Sequence, residues 1–347
     1  MTIPGRRHFA EVNHASRFPH HIVFCLVFFV SILAAVVVPN EARGDDVQAL
    51  VERARAVAGL EVEGGAPFRL EAQVYARVGG GLAAGDYVRI WQSNHRWRDE
   101  LTFPGYSQVR VGTESAIWRR RNTNHQPLHV VQFLQGLTPD LPRNPGVGWK
   151  LTIVPGLELI NPPKCVELEP SDAKLQEFVR RQWCFDADSG VPTRLDRNDW
   201  STTWEYLEYT AWKGKQYPRQ INITQDGVRV LKTRLTVRDA PNLDLASFAV
   251  PEGAEEWPRC EDVKGPTLTS AISVVLGDKR GARRIPTPVM IEVGADGNVQ
   301  DVVFLRPWQD AERQHRLFVD LKQRWKFQPA TCGKVAIPFT LIAEFPL

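Results

Sequence analysis

The stretch FRLEAQVYARV, residues 68–78, alternates without a break: Phe68, Leu70, Ala72, Val74, Ala76 and Val78 fall on one side, Arg69, Glu71, Gln73, Tyr75 and Arg77 on the other. A period of two sustained this long is the pattern of a strand with one face buried and one face in water, and such one-sided strands belong to antiparallel sheets. Further strand-like pieces follow, among them DYVRIWQS, HRWRDELTF, GWKLTIV, KCVELE, RRQWCFDA, TWEYLEYTAW and VRVLKTRLTVRDA. Turn signals separate many of them, at Asp188-Ser189-Gly190, Lys213-Gly214-Lys215 and Asp226-Gly227. GGGLAAG (79–85) reads as a loose turn into DYVRIWQS. Two helices are expected: VQALVERARAVAGL, capped by Asp46 and ended by Gly59, and HVVQFLQGL (129–137). The fold class is therefore α+β, with one large curved antiparallel sheet, a half-barrel, over residues 45–255.

Upstream of this region, IVFCLVFFVSILAAVVV (22–38) carries no charge and follows Arg6, Arg7 and Arg17. A cationic flank, an apolar core and then small residues describe an export signal occupying residues 1–44, with Asp45-Asp46 opening the mature chain. The run is also long enough to remain as a tilted inner-membrane anchor. Either way the rest of the chain faces the periplasm. Removing residues 1–44 takes away four Lys/Arg and two Asp/Glu and leaves 39 basic and 38 acidic residues, so no nucleic-acid partner is implied. Four cysteines remain, Cys165, Cys184, Cys260 and Cys332, which in an exported chain read as disulfides with three connectivities open. Cys165–Cys184 and Cys260–Cys332 are favoured, one bridge within each structural neighbourhood. No CxxC spacing supports a metal site.

Residues 240–265 lose periodicity and collect Pro and Gly, marking the exit from the sheet, with the linker at 256–267. The remaining segment, 268–347, reads as strand, strand, helix, strand. VMIEVGADGNVQDVVFLRP pairs two strands about an Asp296-Gly297 turn. DAERQHRLFVDLKQRW is amphipathic through Leu317, Leu321 and Trp325, and VAIPFTLIAEF closes the pattern. These motifs, above all LKQRWKFQPA and GKVAIPFTLIAEF, resemble the C-terminal domain of TonB-family proteins. The resemblance implies a ββαβ domain in which Gly297 takes a positive φ, Trp325 and Phe327 pin the helix to the sheet, and Pro329 stops it. It also implies that an extended segment of an outer-membrane or other envelope protein adds to the last strand, at Ile337, Phe339, Leu341 and Ala343. The chain departs from that family in having Ile285-Pro286 before the first strand, and a folded domain where an energy transducer has a long Pro-rich spacer. Residues 46–255, with FDADSGVPTRLD as a hairpin and DLASFAVPEG as the exit, more loosely resemble the periplasmic LolA/LolB-like lipoprotein carriers. That resemblance implies a cavity for a lipid or acyl chain.

Catalytic constellations are missing from the sequence. His125 and His129 have helical metal-ligand spacing, but Pro127 intervenes and no Glu accompanies them, so a surface loop is expected. SDAK (171–174) has Ser-x-x-Lys spacing without companion motifs, DADSG (186–190) lacks the distal Glu of a calcium loop, and there is no GxSxG. The expectation is a non-catalytic binding protein without cofactor. Three roles are consistent with it: an envelope adaptor docking a strand at 336–345, a carrier of acyl chains, or a TonB-like transducer if residues 22–38 are retained. Trp beside Arg in HRWR, IWRRR and RQW suits either a sheet packing its concave face with aromatics or a greasy cavity with a cationic mouth.

Overall fold

The computed structural model describes residues 44–137, 141, 148–156, 163–171, 180–260, 262–270, 286–306 and 310–346. The apolar segment 22–38, with its choice between signal and anchor, and most of the Ser-x-x-Lys stretch lie outside them.

Phe68–Val78 is strand β1, and its alternate side chains from Phe68 to Ala76 are buried. It follows helix α1 (Gly44–Ala58). The chain then climbs one arm of the sheet through β2 (Gly81–Ser93), β3 (Arg96–Phe103), β4 (Tyr106–Gly112) and β5 (Ala116–Arg121), and crosses by helix α2 (Leu128–Leu137). It returns along a second arm: β6 (Trp149–Pro155), β7 (Lys164–Pro170), β8 (Arg181–Phe185), β9 (Pro192–Arg197), β10 (Thr202–Trp212), β11 (Lys215–Gln225) and β12 (Val228–Asp239). The last of these pairs with β1, Phe68 opposite Asp239 and Ala76 opposite Leu231, so β1 sits at the seam between the arms. The two-residue turns Lys213-Gly214 and Asp226-Gly227 have positive φ at both positions, the twist that tight hairpins favour.

The sheet runs in the order β13-β5-β4-β3-β2-β1-β12-β11-β10-β9-β8-β7-β6. Its far member, β13 (Glu255–Pro258), comes from the stretch read as exit and linker. Glu255 pairs with Arg119 and Pro258 with Ala116, so the chain returns to the sheet before leaving it. A second difference concerns GGGLAAG. Only Gly79 and Gly80 turn, and Gly81 to Gly85 form the start of β2, Gly85 opposite Val74. A side chain at Gly85 would lie 2.7 Å from the Phe103 ring, so small residues here let β3 pack close.

Helices α1 and α2 fill the concave face. Val47, Val51 and Ala54 from the first, and Val130, Val131 and Phe133 from the second, pack among Tyr87, Trp91, Trp204 and Ile221. The indole of Trp204 donates to the Gln132 carbonyl at 3.0 Å, and Gly136 gives it room, since a Cβ there would sit 2.4 Å from the ring. Cys165 and Cys184 are directly opposite on β7 and β8 and form one disulfide; Cys260 and Cys332 form the other.

The C-terminal module contains β16 (Pro286–Val293), β17 (Val299–Phe304), helix α3 (Ala311–Arg324) and β21 (Phe339–Pro346), its sheet ordered β17-β16-β21. Val289, Ile291, Val302 and Phe304 pack with Leu317 and Leu321 of the helix. The opposite parity, Met290, Val303 and Leu305, joins the core of the large sheet. The strands preceding β16, β14 (Val263–Lys264) and β15 (Thr267–Ser270), also fall partly in the expected linker. They pair with β19 (Ala330–Cys332) and β18 (Lys326–Gln328). The helix ends at Arg324 because Trp325 turns extended (φ −79°, ψ 134°), four residues before Pro329. Pro329 therefore separates β18 from β19 and does not stop the helix.

Candidate functional site

A cavity of about 610 Å³ lies between α1, the loop that follows it, α2 and the concave face of the sheet. Phe68 and Leu70 from β1, Leu134 and Leu137 from α2, Tyr217 from β11 and Leu235 from β12 form its apolar walls. Alternation places the four strand residues: each faces the concave side because its strand neighbours face the other way, and Leu134 and Leu137, three apart, share one face of α2. The loop 59–67 contributes Leu60, Glu61, Val62 and Glu63.

One end is polar. Tyr87 and Arg89 from β2 and Arg110 from β4 reach it, and Asp99 of β3, whose side chain is 1% exposed, stands between the two guanidinium groups. Arg110 Nε donates to Asp99 Oδ1 at 2.9 Å and its Nη2 to Oδ2 at 2.7 Å, a bidentate pair. Arg89 gives Nη1 to Asp99 at 3.1 Å and Nη2 to Glu61 at 2.8 Å. Both cations lie over the Trp97 ring, at 4.6 and 5.7 Å from its centre. Burial pushes the Tyr87 hydroxyl well above its ordinary pKa, so it stays neutral. The mouth read from the sequence as cationic is thus a neutralised cluster, two guanidinium groups against two carboxylates.

Of the Arg–Trp pairs singled out in the sequence, HRWR supplies Trp97 to this end, while its Arg98 and the arginines of IWRRR lie elsewhere. Arg98 of HRWR points to the convex side, bonded to Glu100 and to the Ala249 carbonyl. Arg119 and Arg121 of IWRRR meet the C-terminal module: both donate to Glu292 of β16, at 2.5–3.3 Å, and Arg119 also to Glu255. His125 lies on the exposed loop before α2, as expected, whereas His129 is in the helix. His125 Nδ1 lies 2.9 Å from Asp301 of β17, while His129 stacks edge-on against Phe103, where burial lowers its pKa. Among the described residues no cluster of His, Cys, Asp and Glu could hold a metal ion. The signal that would have found the cavity's arginines is parity: Tyr87, Arg89 and Trp91 share one side of DYVRIWQS, the side that Phe68 and Leu70 share on β1.

The residues expected to receive a partner strand divide between two strands. Ile337 closes β20 (Val335–Ile337), is 4% exposed and pairs with Ala330. Pro338 breaks the run, and Phe339, Leu341 and Ala343 follow on β21, opposite Val293, Ile291 and Val289. Leu341 and Ala343 pack on the module core, and Ile342 is exposed. Among the described residues the outer edge of β21 has no strand partner. Gly297 has φ +78°, and a side chain there would lie 2.1 Å from the Phe327 carbonyl oxygen. The amide of Phe327 in turn donates to the Gly297 carbonyl. Phe327 is buried in the module core, and the Trp325 ring lies 6.3 Å from it.

The sequence matches no family model, and no curated protein matches it. Solved structures do. A LolA superfamily protein from Nitrosomonas europaea is 13% identical, with 58% of this chain and 97% of that chain covered and a TM-score of 0.36. A DUF1329 family protein from Desulfovibrio piger is 13% identical, covering 59% and 96%, TM-score 0.39. MucB is 15% identical, covering 81% and 98%, TM-score 0.30, and has also been solved in complex with MucA(peri).

Proposed function

We propose that this chain is an exported, non-catalytic binding protein of the bacterial envelope that carries a lipid or lipoprotein acyl chain in the cavity under α1 and α2. The cavity itself carries the reading. Its volume of about 610 Å³ falls in the range of small-molecule sites, and its walls are apolar apart from one polar end. Each methylene moved from water onto these apolar walls contributes about 0.8 kcal/mol. Exchange between partners suits a chain held by burial alone, with no covalent step. The two disulfides accord with an oxidising compartment. The test is native mass spectrometry of the protein recovered from the envelope fraction, alongside Leu134→Trp, which fills the cavity. A lipid-sized adduct lost in the variant supports the carrier; an unliganded protein that takes up no fatty acid in either form refutes it.

A second reading has its own observation, the outer edge of β21, which has no strand partner among the described residues. An exposed edge invites strand addition by a partner protein. Leu341→Pro would remove that capacity, and undiminished capture of the partner would exclude it. The transducer role additionally needs residues 22–38 in the mature protein, so a mature chain beginning near Asp45 excludes it.

A further inference from the structure

Building on the reading of the cavity as a lipid site, we infer that Glu61 stands in the place of a ligand's anionic head on Arg89. The cavity then selects single-chain amphiphiles with one negative charge, which displace Glu61 and free the loop 59–67. Charge balance is the first ground. Arg89 and Arg110 face Asp99 and Glu61, so the polar end is neutral as it stands. An anionic head added to this set would leave one negative charge unmatched in a largely desolvated place. A cationic head would meet two guanidinium groups. An anion that exchanges with Glu61 keeps the balance.

The two carboxylates are not equivalent, which is the second ground. Asp99 is fixed in the middle of a central strand, 1% exposed, with both arginines on it. Glu61 sits on a connection containing Gly59, Gly64 and Gly65, its side chain is 28% exposed, and Arg89 is its hydrogen-bonded partner. Glycines on both sides give that connection freedom to swing. Third, Leu60 and Val62 flank Glu61 and line the same cavity. Freeing Glu61 from Arg89 therefore also lifts apolar cover from the chain-binding region. Finally, Arg89 Nε is buried without a hydrogen-bond acceptor, which leaves a donor for a second head-group oxygen.

The experiment measures dissociation constants of the delipidated full-length protein for hexadecanoate, hexadecyl sulfate and hexadecanol, with inorganic phosphate as competitor, for the native chain and Glu61→Gln. The native chain should prefer the two anionic amphiphiles to the alcohol. Glu61→Gln removes the internal competitor and should tighten both anions about tenfold while leaving the alcohol within about twofold. Inorganic phosphate should not compete with either, because it has no chain to bury. Unchanged or weaker anion binding in Glu61→Gln overturns the inference, as does competition by inorganic phosphate alone. If all three amphiphiles bind equally in both proteins, the head-group inference fails and the acyl-chain reading stands. If none binds, both fail.

Discussion

Two places in this molecule hold a pair of arginines against a pair of carboxylates, and they behave in opposite ways. At the polar end of the cavity Arg89 and Arg110 face Asp99 and Glu61. At the junction with the C-terminal module Arg119 and Arg121 face Glu292 and Asp301, with Glu255 and His125 at the rim. At the junction both carboxylates lie on strands of the module, and their side chains are 3% and 1% exposed. Asp301 also accepts the Gln126 and Val302 amides. At the cavity one carboxylate belongs to a strand and the other to a glycine-flanked loop. The same four charges thus form a seal where every group is fixed, and an exchangeable site where one is not.

The largest test of this contrast is Glu292→Gln. It removes the buried carboxylate that Arg119 and Arg121 share, leaving Arg119 with Glu255 at the rim and Arg121 with Asp301 at 4.0 Å, and removing one partner of such a pair costs about 3–5 kcal/mol. Urea unfolding of the full chain should show that loss; a loss under 1 kcal/mol would mean that the junction is not a seal. Next comes the staple at the same end. Cys260 and Cys332 are 72 residues apart, so replacing both by Ser should cost about 4 kcal/mol on the chain-entropy estimate. Ligand uptake by the cavity should survive in conditions where the variant stays folded. If uptake is lost instead, cavity and junction are one unit and the contrast collapses.

Each cluster also has its own phenol, which gives a pH test. Burial raises the pKa of Tyr106, near Arg119 and Arg121, to about 12, and that of Tyr87, near Arg89, further still. An unfolded tyrosine ionises near pH 10, so between pH 10 and the folded value the unfolded chain has lost a proton that the native chain keeps. Stability is full below pH 10 and falls as pH rises through the folded values, by about 3 kcal/mol for Tyr106 once pH 12 is passed. Tyrosinate absorbance followed with far-ultraviolet circular dichroism checks this. Tyr106 ionising at pH 10 in a folded protein would show the junction to be open to water.

What could be read in advance follows the range of the interactions. The alternation of residues 68–78 is local, and it placed β1 and its buried side without knowledge of any neighbour. The disulfide Cys165–Cys184 was legible for a related reason: KCVELE and RRQWCFDA are consecutive strand-like runs, and consecutive strands usually pair. Strand β13 was not legible. Its four residues have no periodicity of their own, and they join the sheet through ladder bonds to β5 and the stacking of Arg119 on Trp257 at 4.2 Å. The alternation of Ile337, Phe339, Leu341 and Ala343 reads as one strand, whereas Pro338 separates two strands with different partners. The cavity's polar end brings together residues 61, 89, 99 and 110 from a loop and three strands, and only the assembled sheet sets them side by side. Parity within β2 offered Arg89; nothing local offered Glu61.

Glu61 supplies the smallest expected effect and the sharpest. If it is an exchangeable partner, Glu61→Gln should change the unfolding free energy by less than about 1 kcal/mol, the value of a pair that is in part solvated. Arg89 keeps the buried Asp99 at 3.1 Å after the change, whereas Glu292→Gln takes a buried carboxylate from two arginines at once and leaves them the half-exposed Glu255 and Asp301 at 4.0 Å. Faster amide exchange should appear in residues 59–67 and nowhere in β2 or β3, because the loop loses a tether while the strands lose nothing. A cost above 2 kcal/mol, or exchange spreading into β2, would place Glu61 with Glu292 among the fixed carboxylates. The cavity would then be a second seal, with its polar end closed to any head group.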